Sequence, residues 1–220
     1  MKASKVKPER DPLLVVDAVL GAGPDRTAAA AAQAGLRAAL RRVAPEVHYD
    51  VLPRSPIGPV CIAASERGVV ALEFGLDERE FVQRLERRTR AGVRRSSERV
   101  VSAVRQVQEY LSGARTSFDL SLDLTWTSAF QQRVLREALA IPRGQTRTYR
   151  QVARTIGKPR AARAVGQALG HNPVPIIIPC HRVLGSDGSL HGYSGGGGLQ
   201  TKAWLLQLEG APLPVPAEFH

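Results

Sequence analysis

Acidic residues are scarce in this chain, cysteines are scarcer, and long apolar runs are missing. Twenty Asp and Glu face thirty-one Lys and Arg, a formal charge of +11 over 220 residues. Such a surplus favours a polyanionic partner, nucleic acid or an anionic membrane surface, and charge alone does not choose between them. No apolar stretch approaches the ~18 to 20 residues of a membrane helix. Met1 to Pro12 is charged where a signal peptide would be hydrophobic. The expected location is the cytosol or nucleoid, with no membrane partner. Cys61 and Cys180 are too few for a disulfide framework, and a reducing compartment makes free thiols the expected state. No His/Cys cluster has zinc-ligand spacing, so neither a metal nor a cofactor is expected. With 43% hydrophobic and 23% charged residues, the chain can bury one or two compact cores.

Four segments are expected: an extension over residues 1–50, a small α/β domain over 51–122, a helical domain over 123–212, and a tail over 213–220. In the extension, Leu13 to Val16 is apolar, and the alanine-rich Thr27 to Val43 reads as a helix. Beyond it, Gly58 to Ala64 and Val69 to Phe74 are β-rich runs separated by Ser65-Glu66-Arg67-Gly68, which predicts a hairpin. Phe81, Leu85, Val100, Val104, Val107, Tyr110 and Leu111 recur at helical spacing, so two helices should cover that sheet.

Ser128 followed by Gln131 predicts a capping box. The helix behind it should bury Phe130, Val134, Leu135 and Leu139 and stop at Ile141-Pro142-Arg143-Gly144. Thr148 can cap a short helix from Tyr149 to Thr155; Gly157 turns the chain, and Pro159 opens a second helix through Leu169. That is a helix-turn-helix pattern. A last helix, Leu199 to Glu209, ends at Gly210.

The most informative segment runs from Asn172 to Val183. An apolar run between prolines delivers Cys180 beside His181. A thiol with an ordinary pKa of about 8.5 is only slightly ionised at neutral pH, and a neighbouring imidazole would activate it as a nucleophile. Taken alone, the pair also fits an inert core cysteine at a strand end, and that is the better reading of an arbitrary cysteine.

The surroundings change this. Asn172-Pro173 followed by an apolar run and Pro179-Cys180-His181-Arg182-Val183 resembles the O6-alkylguanine-DNA alkyltransferase family, whose hallmark is this motif. The resemblance extends through Ser55 to Gly58, Phe130 to Val134, Arg160 to Gly166, Gly192 to Gly195 and Lys202 to Leu206, and so covers most of the chain. It implies an α/β amino-terminal domain followed by a mostly α-helical carboxy-terminal domain carrying a helix-turn-helix, winged-helix-like, and the active-site cysteine loop. It also implies direct-reversal repair of double-stranded DNA containing O6-alkylguanine by a monomer, with O4 of thymine open as a further substrate.

In that reading Cys180 takes the alkyl group irreversibly and each molecule acts once. His181 accepts the thiol proton, Glu209 polarises His181 through a water, and Asn172 ties the recognition helix to the cysteine loop. The alternative for Glu209 is an exposed residue in the last helical turn, where an anion is disfavoured. Because a base cannot be reached inside a duplex, it must be flipped out. Arg163 resembles the finger that enters the vacated stack, with Ala161, Ala162 and Gly166 allowing close DNA approach. Tyr149 resembles the tyrosine that crowds the target phosphate and bonds the flipped base. Pro175, Val183, Tyr193, Ser194 and Leu169 would line the base pocket, with the Ser194 N–H aimed at O6.

Without the resemblance, a helix-turn-helix is ordinarily a major-groove reader. Small residues around one arginine suit minor-groove approach better, although small residues also simply pack helices. A regulator or lesion sensor and a cysteine hydrolase therefore remain as rival readings. The arginines between Arg84 and Arg99 read first as a solvated face and second as an auxiliary DNA contact. Cys61 reads as core.

Three departures from the family pattern stand out. The run Gly195 to Gly198 is longer than usual and predicts a more mobile pocket loop. Gly170-His171 precedes Asn172 in place of the usual residues, so His171 can bring a pH-dependent charge to a phosphate contact. The extension lacks the cysteines of the phosphotriester-repair module fused to some relatives.

Overall fold

The computed structural model describes residues 46–211 apart from Ser194, together with the single position Ala30. The apolar Leu13 to Val16, the rest of the helix expected over Thr27 to Val43, and the tail over 213–220 lie outside the described residues.

The hairpin forms as its turn residues require: β2 (Val60–Ser65) and β3 (Gly68–Phe74) pair antiparallel. Two further strands of this sheet were not foreseen. Strand β1 (Glu46–Leu52) pairs antiparallel with β2 and starts inside the segment read as an extension. The short β4 (Gly92–Arg95) lies parallel to β1, giving the order β3-β2-β1-β4.

Alternation along β2 puts Val60 and Ile62 on one face and Cys61 and Ala63 on the other, and each face is covered. Helix α1 (Glu78–Thr89) buries Phe81 and Leu85 against the Cys61 face. Asp77 caps it, acids fill its first turn, and Arg87 and Arg88 sit in its last, the order the helix dipole favours. Helix α2 (Ser97–Leu111) packs Ala103, Val107 and Tyr110 on the opposite face. That second core continues without a break into the helical half, where Val134, Leu135, Val152, Val165 and the cysteine loop join it. The described residues from Glu46 onward therefore pack as one compact unit.

Helix α3 (Ala129–Leu139) is capped by Ser128, whose hydroxyl accepts the Gln131 N–H. The expected reciprocal bond is missing because the Gln131 amide donates instead to the carbonyls of Ala168 and His171, tying α3 to the end of the following helix pair. Leu139 is 46% exposed rather than buried; Ala138 takes the inward position. A complete capping box occurs one helix later, at α4 (Tyr149–Thr155), between Thr148 and Gln151. The chain then turns at Gly157, whose φ of +71° suits glycine. Helix α5 spans Ala162–Gly170, so it starts three residues after Pro159, and Pro159 and Arg160 form a turn in front of it. Arg163 consequently sits in the first turn of α5 and not at its centre. Beyond the cysteine loop come β6 (Val183–Leu184), paired parallel with β5 (Arg147–Thr148), and α6 (Gly198–Leu208). No helix among the described residues is long and apolar enough to cross a membrane.

Candidate active site

Two short segments hold the site: the loop from Asn172 to Val183, and the end of α6. The loop closes on itself through an Ile178 N–H to Val174 carbonyl bond of 2.9 Å. Ile176 is held at a φ of +74°, a conformation that costs a β-branched residue on the order of 1–3 kcal/mol and persists only when neighbours over-determine it. Asn172 supplies the constraint. Its side chain donates to the Ile178 carbonyl at 2.9 Å and accepts the Val174 N–H at 3.0 Å, so one residue at the end of α5 clamps both arms of the loop.

The loop delivers Cys180 at the start of a 3-10 turn (Cys180–Arg182), 8% exposed. Burial pushes its thiol pKa up, against an opposing hydrogen bond from Asn172 and the positive charge of Lys202. The resting group is therefore a thiol that requires a base.

His181 is that neighbour and is fully buried. Its Nε2 meets Glu209 Oε1 at 2.7 Å, a direct contact where an intervening water was expected. Burial lowers the imidazole pKa although Glu209 pulls the other way, so the ring is neutral near pH 7. A neutral ring facing a carboxylate carries its proton on that side. The opposite nitrogen, Nδ1, is buried and has no hydrogen-bond partner among the described residues, which leaves it a bare acceptor.

Glu209 caps the end of α6 and is buried, not exposed. The dipole cost of an anion there is offset by a ring of donors. Arg182 reaches it twice, Nε to Oε2 at 2.7 Å and Nη2 to Oε1 at 3.0 Å, and the Tyr110 hydroxyl also donates to Oε1. Burial alone would raise the carboxyl pKa, but the bonds from His181 and Arg182 bring it down to about 2. Arg182 is itself held by the Ile141 carbonyl.

Residue types alone did not mark Arg182, Tyr110 or Lys202 as functional. Lys202 lies in α6, almost fully buried, and donates to the carbonyls of Val183 at 2.7 Å and His191 at 3.0 Å. Burial lowers its pKa to about 8, and its Nζ stands 5.8 Å from the centre of the Tyr149 ring. A lysine directly before the apolar string Ala203-Trp204-Leu205-Leu206 was the available signal. The Tyr149 hydroxyl donates to the His191 carbonyl at 3.1 Å. Burial, with the neighbouring Cys180 as the next cause, raises the pKa of both Tyr149 and Tyr193, and both rings pack against the apolar cluster that contains Cys180.

A cavity of about 710 Å³ opens beside these groups, lined by Tyr149, Ala162, Arg163, Gly166, Gly192 and Tyr193. Arg163 is exposed at its rim. Three of the described residues expected at the pocket are not in this lining. Leu169 is buried core, and the Val183 carbonyl is bonded to Lys202. Ala161, expected to allow close DNA approach, stands one residue before α5 and is likewise outside the lining. Pro175 faces a second cavity of about 640 Å³ with Asn172, Phe74, Gly195 and Gly196. Ser194 lies outside the described residues. In the glycine run, the Gly196 N–H donates to the Phe74 carbonyl at 3.2 Å, and Thr201 Oγ1 donates to the Gly196 carbonyl at 2.7 Å.

In the basic stretch, Arg84 meets Glu80 at 2.5 Å, Arg94 meets Glu46 at 3.5 Å, and Arg95 meets Asp50 at 3.0 Å. Arg88 donates to the Val70 carbonyl at 3.1 Å. Much of this charge is thus neutralised locally. His171 donates its Nδ1 proton to the Gln167 carbonyl at 2.8 Å and is exposed. Among the described residues no group of three or more His, Cys, Asp or Glu could hold a metal ion.

Two family models match the chain. Residues 47–124 match the 6-O-methylguanine DNA methyltransferase ribonuclease-like domain, and residues 129–211 match the DNA binding domain of the same family. A methylated-DNA--protein-cysteine methyltransferase of Methanosarcina barkeri is 45% identical over 163 residues, covering 74% of this chain and 97% of that protein. Its counterpart in Mycobacterium bovis is 43% identical, covering 77% and 96%. The crystal structure of the Mycobacterium tuberculosis O6-methylguanine methyltransferase matches at a TM-score of 0.63 and 41% identity, covering 77% of this chain and 96% of that one. A crystal structure of the Mycobacterium tuberculosis protein in complex with DNA matches at 0.61 and 40%, covering 76% and 95%.

Proposed function

Because the chain belongs to the 6-O-methylguanine DNA methyltransferase family, we propose that it repairs double-stranded DNA by moving an alkyl group from O6 of guanine onto Cys180 and keeping it. The observation that carries this reading is the buried His181, held on one side by Glu209 and with Nδ1 bare on the other, adjacent in the chain to the buried Cys180. His181 Nδ1 takes the thiol proton. No bond joins sulfur to Nδ1 in the resting arrangement, so the proton moves through a small shift of either group or through one water.

The sulfur lone pair then forms the S–C bond as the C–O6 bond breaks. Its electrons pass to the guanine oxygen, and the base takes up one proton, which balances the one His181 accepted from the thiol. Lys202 places positive charge near the sulfur while the thiolate forms. The product thioether is a poor leaving group, which makes the reaction single-turnover without a cofactor.

Helices α4 and α5 act as a helix-turn-helix that approaches the minor groove. Arg163, in the first turn of α5, fills the stack vacated by the flipped base. Tyr149 receives that base by exchanging its present bond to the His191 carbonyl, and Tyr193 with the Ser194 N–H completes the pocket. Asn172 holds the loop that aims the sulfur. The protein works in the cytoplasm, on the nucleoid, as a monomer.

Intact-mass spectrometry after incubation with an O6-methylguanine duplex tests this. One added methyl group per chain is expected, mapped to Cys180, with no further turnover in excess substrate. DNA binding without an adduct would favour a lesion sensor, and continued turnover would favour a hydrolase. Arg163→Ala should slow repair of the duplex by about tenfold or more, since flipping costs a few kcal/mol, and spare reaction with O6-benzylguanine as a free base. Equal losses on both would remove Arg163 from that role.

A further inference from the structure

We propose that Phe74, a residue of the amino-terminal sheet, limits the size of the alkyl group that Cys180 can receive. The inference rests on the transfer reading above. Phe74 ends β3 and is 3% exposed. Its ring centre lies 6.2 Å from that of Tyr193, tilted by 34°, and Phe74 and Cys180 belong to the same buried cluster, against which Tyr193 packs.

The same ring occupies the space that a side chain at position 195 would need. A Cβ on Gly195 would stand 2.3 Å from Phe74 Cζ and 2.8 Å from Tyr193 Cε1. Residue 196 is fastened to the same strand end by its bond to the Phe74 carbonyl, and a Cβ there would stand 2.6 Å from the Gly75 Cα. The extended glycine run thus lets the pocket wall lie flat against β3, with Phe74 as the side chain between the two.

Tyr193 cannot recede unless the Phe74 ring moves. Behind that wall lies the cavity of about 640 Å³, lined by Phe74, Pro175, Gly195 and Gly196 among others. A shorter or more flexible side chain at position 74 gives Tyr193 room to retreat towards it. A benzyl group demands more of that space than a methyl group, so the retreat should matter to benzyl transfer first. Phe74 therefore acts through Tyr193 on substrate size, from the end of β3 against which the glycine wall lies.

The test compares the wild type with Phe74→Leu and Phe74→Met, which keep the position apolar while making the side chain shorter or more flexible. Second-order rate constants are measured on one duplex carrying either O6-methylguanine or O6-benzylguanine, with thermal melting as a check on folding. The ratio of benzyl to methyl transfer should rise about tenfold, the scale on which a pocket discriminates a small change in apolar bulk. A ratio unchanged in both variants, with the two rates falling together, would make Phe74 an ordinary core residue and overturn the inference, as would loss of folding in both. If the wild type accepts no methyl group at all, it is the transfer reading that fails. If it accepts methyl and the ratio stays fixed, only the role of Phe74 does.

Discussion

Cys61 and Cys180 form an internal comparison. Both are free, both are buried, at 3% and 8% exposure, and burial raises the pKa of both thiols. Around Cys61, on the sheet face covered by α1, the carboxylates of Glu78 and Glu73 push the same way, and the thiol rises to about 11. Around Cys180 the fixed polar groups oppose burial: the Asn172 side chain, the Lys202 ammonium and the backbone N–H groups of the turn. Burial does not distinguish an inert thiol from a reactive one. The sign of the groups held around it does, because only the second environment stabilises an anion at the moment it forms.

The largest effect should come from removing the base. His181→Gln keeps a hydrogen-bonding side chain next to Glu209 but offers no imidazole lone pair, so transfer should slow by about 10²–10⁴-fold. Single-turnover rates on an O6-methylguanine duplex give the number. A rate within threefold of wild type would mean that Cys180 is activated by its electrostatic surroundings alone.

Next comes Glu209→Gln, which leaves Arg182 buried without its carboxylate. Breaking such a pair costs about 3–5 kcal/mol of stability, read from urea midpoints. The pH dependence supplies a second readout. The Glu209 carboxyl falls from an ordinary 4.5 to about 2 on folding, so the unfolded chain binds the proton more readily in between. Its contribution is complete above about 4.5 and is lost as pH falls towards 2, and the variant should lack that acid-sensitive component. Equal acid sensitivity in the two proteins would place the titrating groups elsewhere.

Much of this was legible in the sequence where the determinants are local. Thr148 and Gln151 cap α4 from three residues apart, the hairpin follows from its turn residues, and Cys180 and His181 are neighbours in the chain. Pairings between distant segments were not. Strand β4 is four mostly polar residues whose partner β1 lies far upstream, so no alternating pattern marks it. Tyr110 recurs at core spacing on α2, and nothing in that spacing shows its hydroxyl ending on Glu209 across the molecule. The glycine run looked loose because glycine is permissive; against the end of β3, the same absence of side chains is what lets two backbones meet.

The smallest effect expected is that of Cys61→Ala. Losing the sulfur from the α1 face of the sheet should cost about 1 kcal/mol, the typical effect of a single substitution. The transfer rate should stay within twofold of wild type, since Cys61 belongs to a separate apolar cluster from the one that contains Cys180. Brief iodoacetamide treatment of the native wild type, followed by peptide mapping, makes the comparison directly. Exposure differs too little between the two thiols to separate them, so a label confined to Cys180 would have to arise from the polar groups around it. Comparable labelling of Cys61 would mean that acids near a buried thiol do not suppress its ionisation, and the electrostatic account of both sites would fall together.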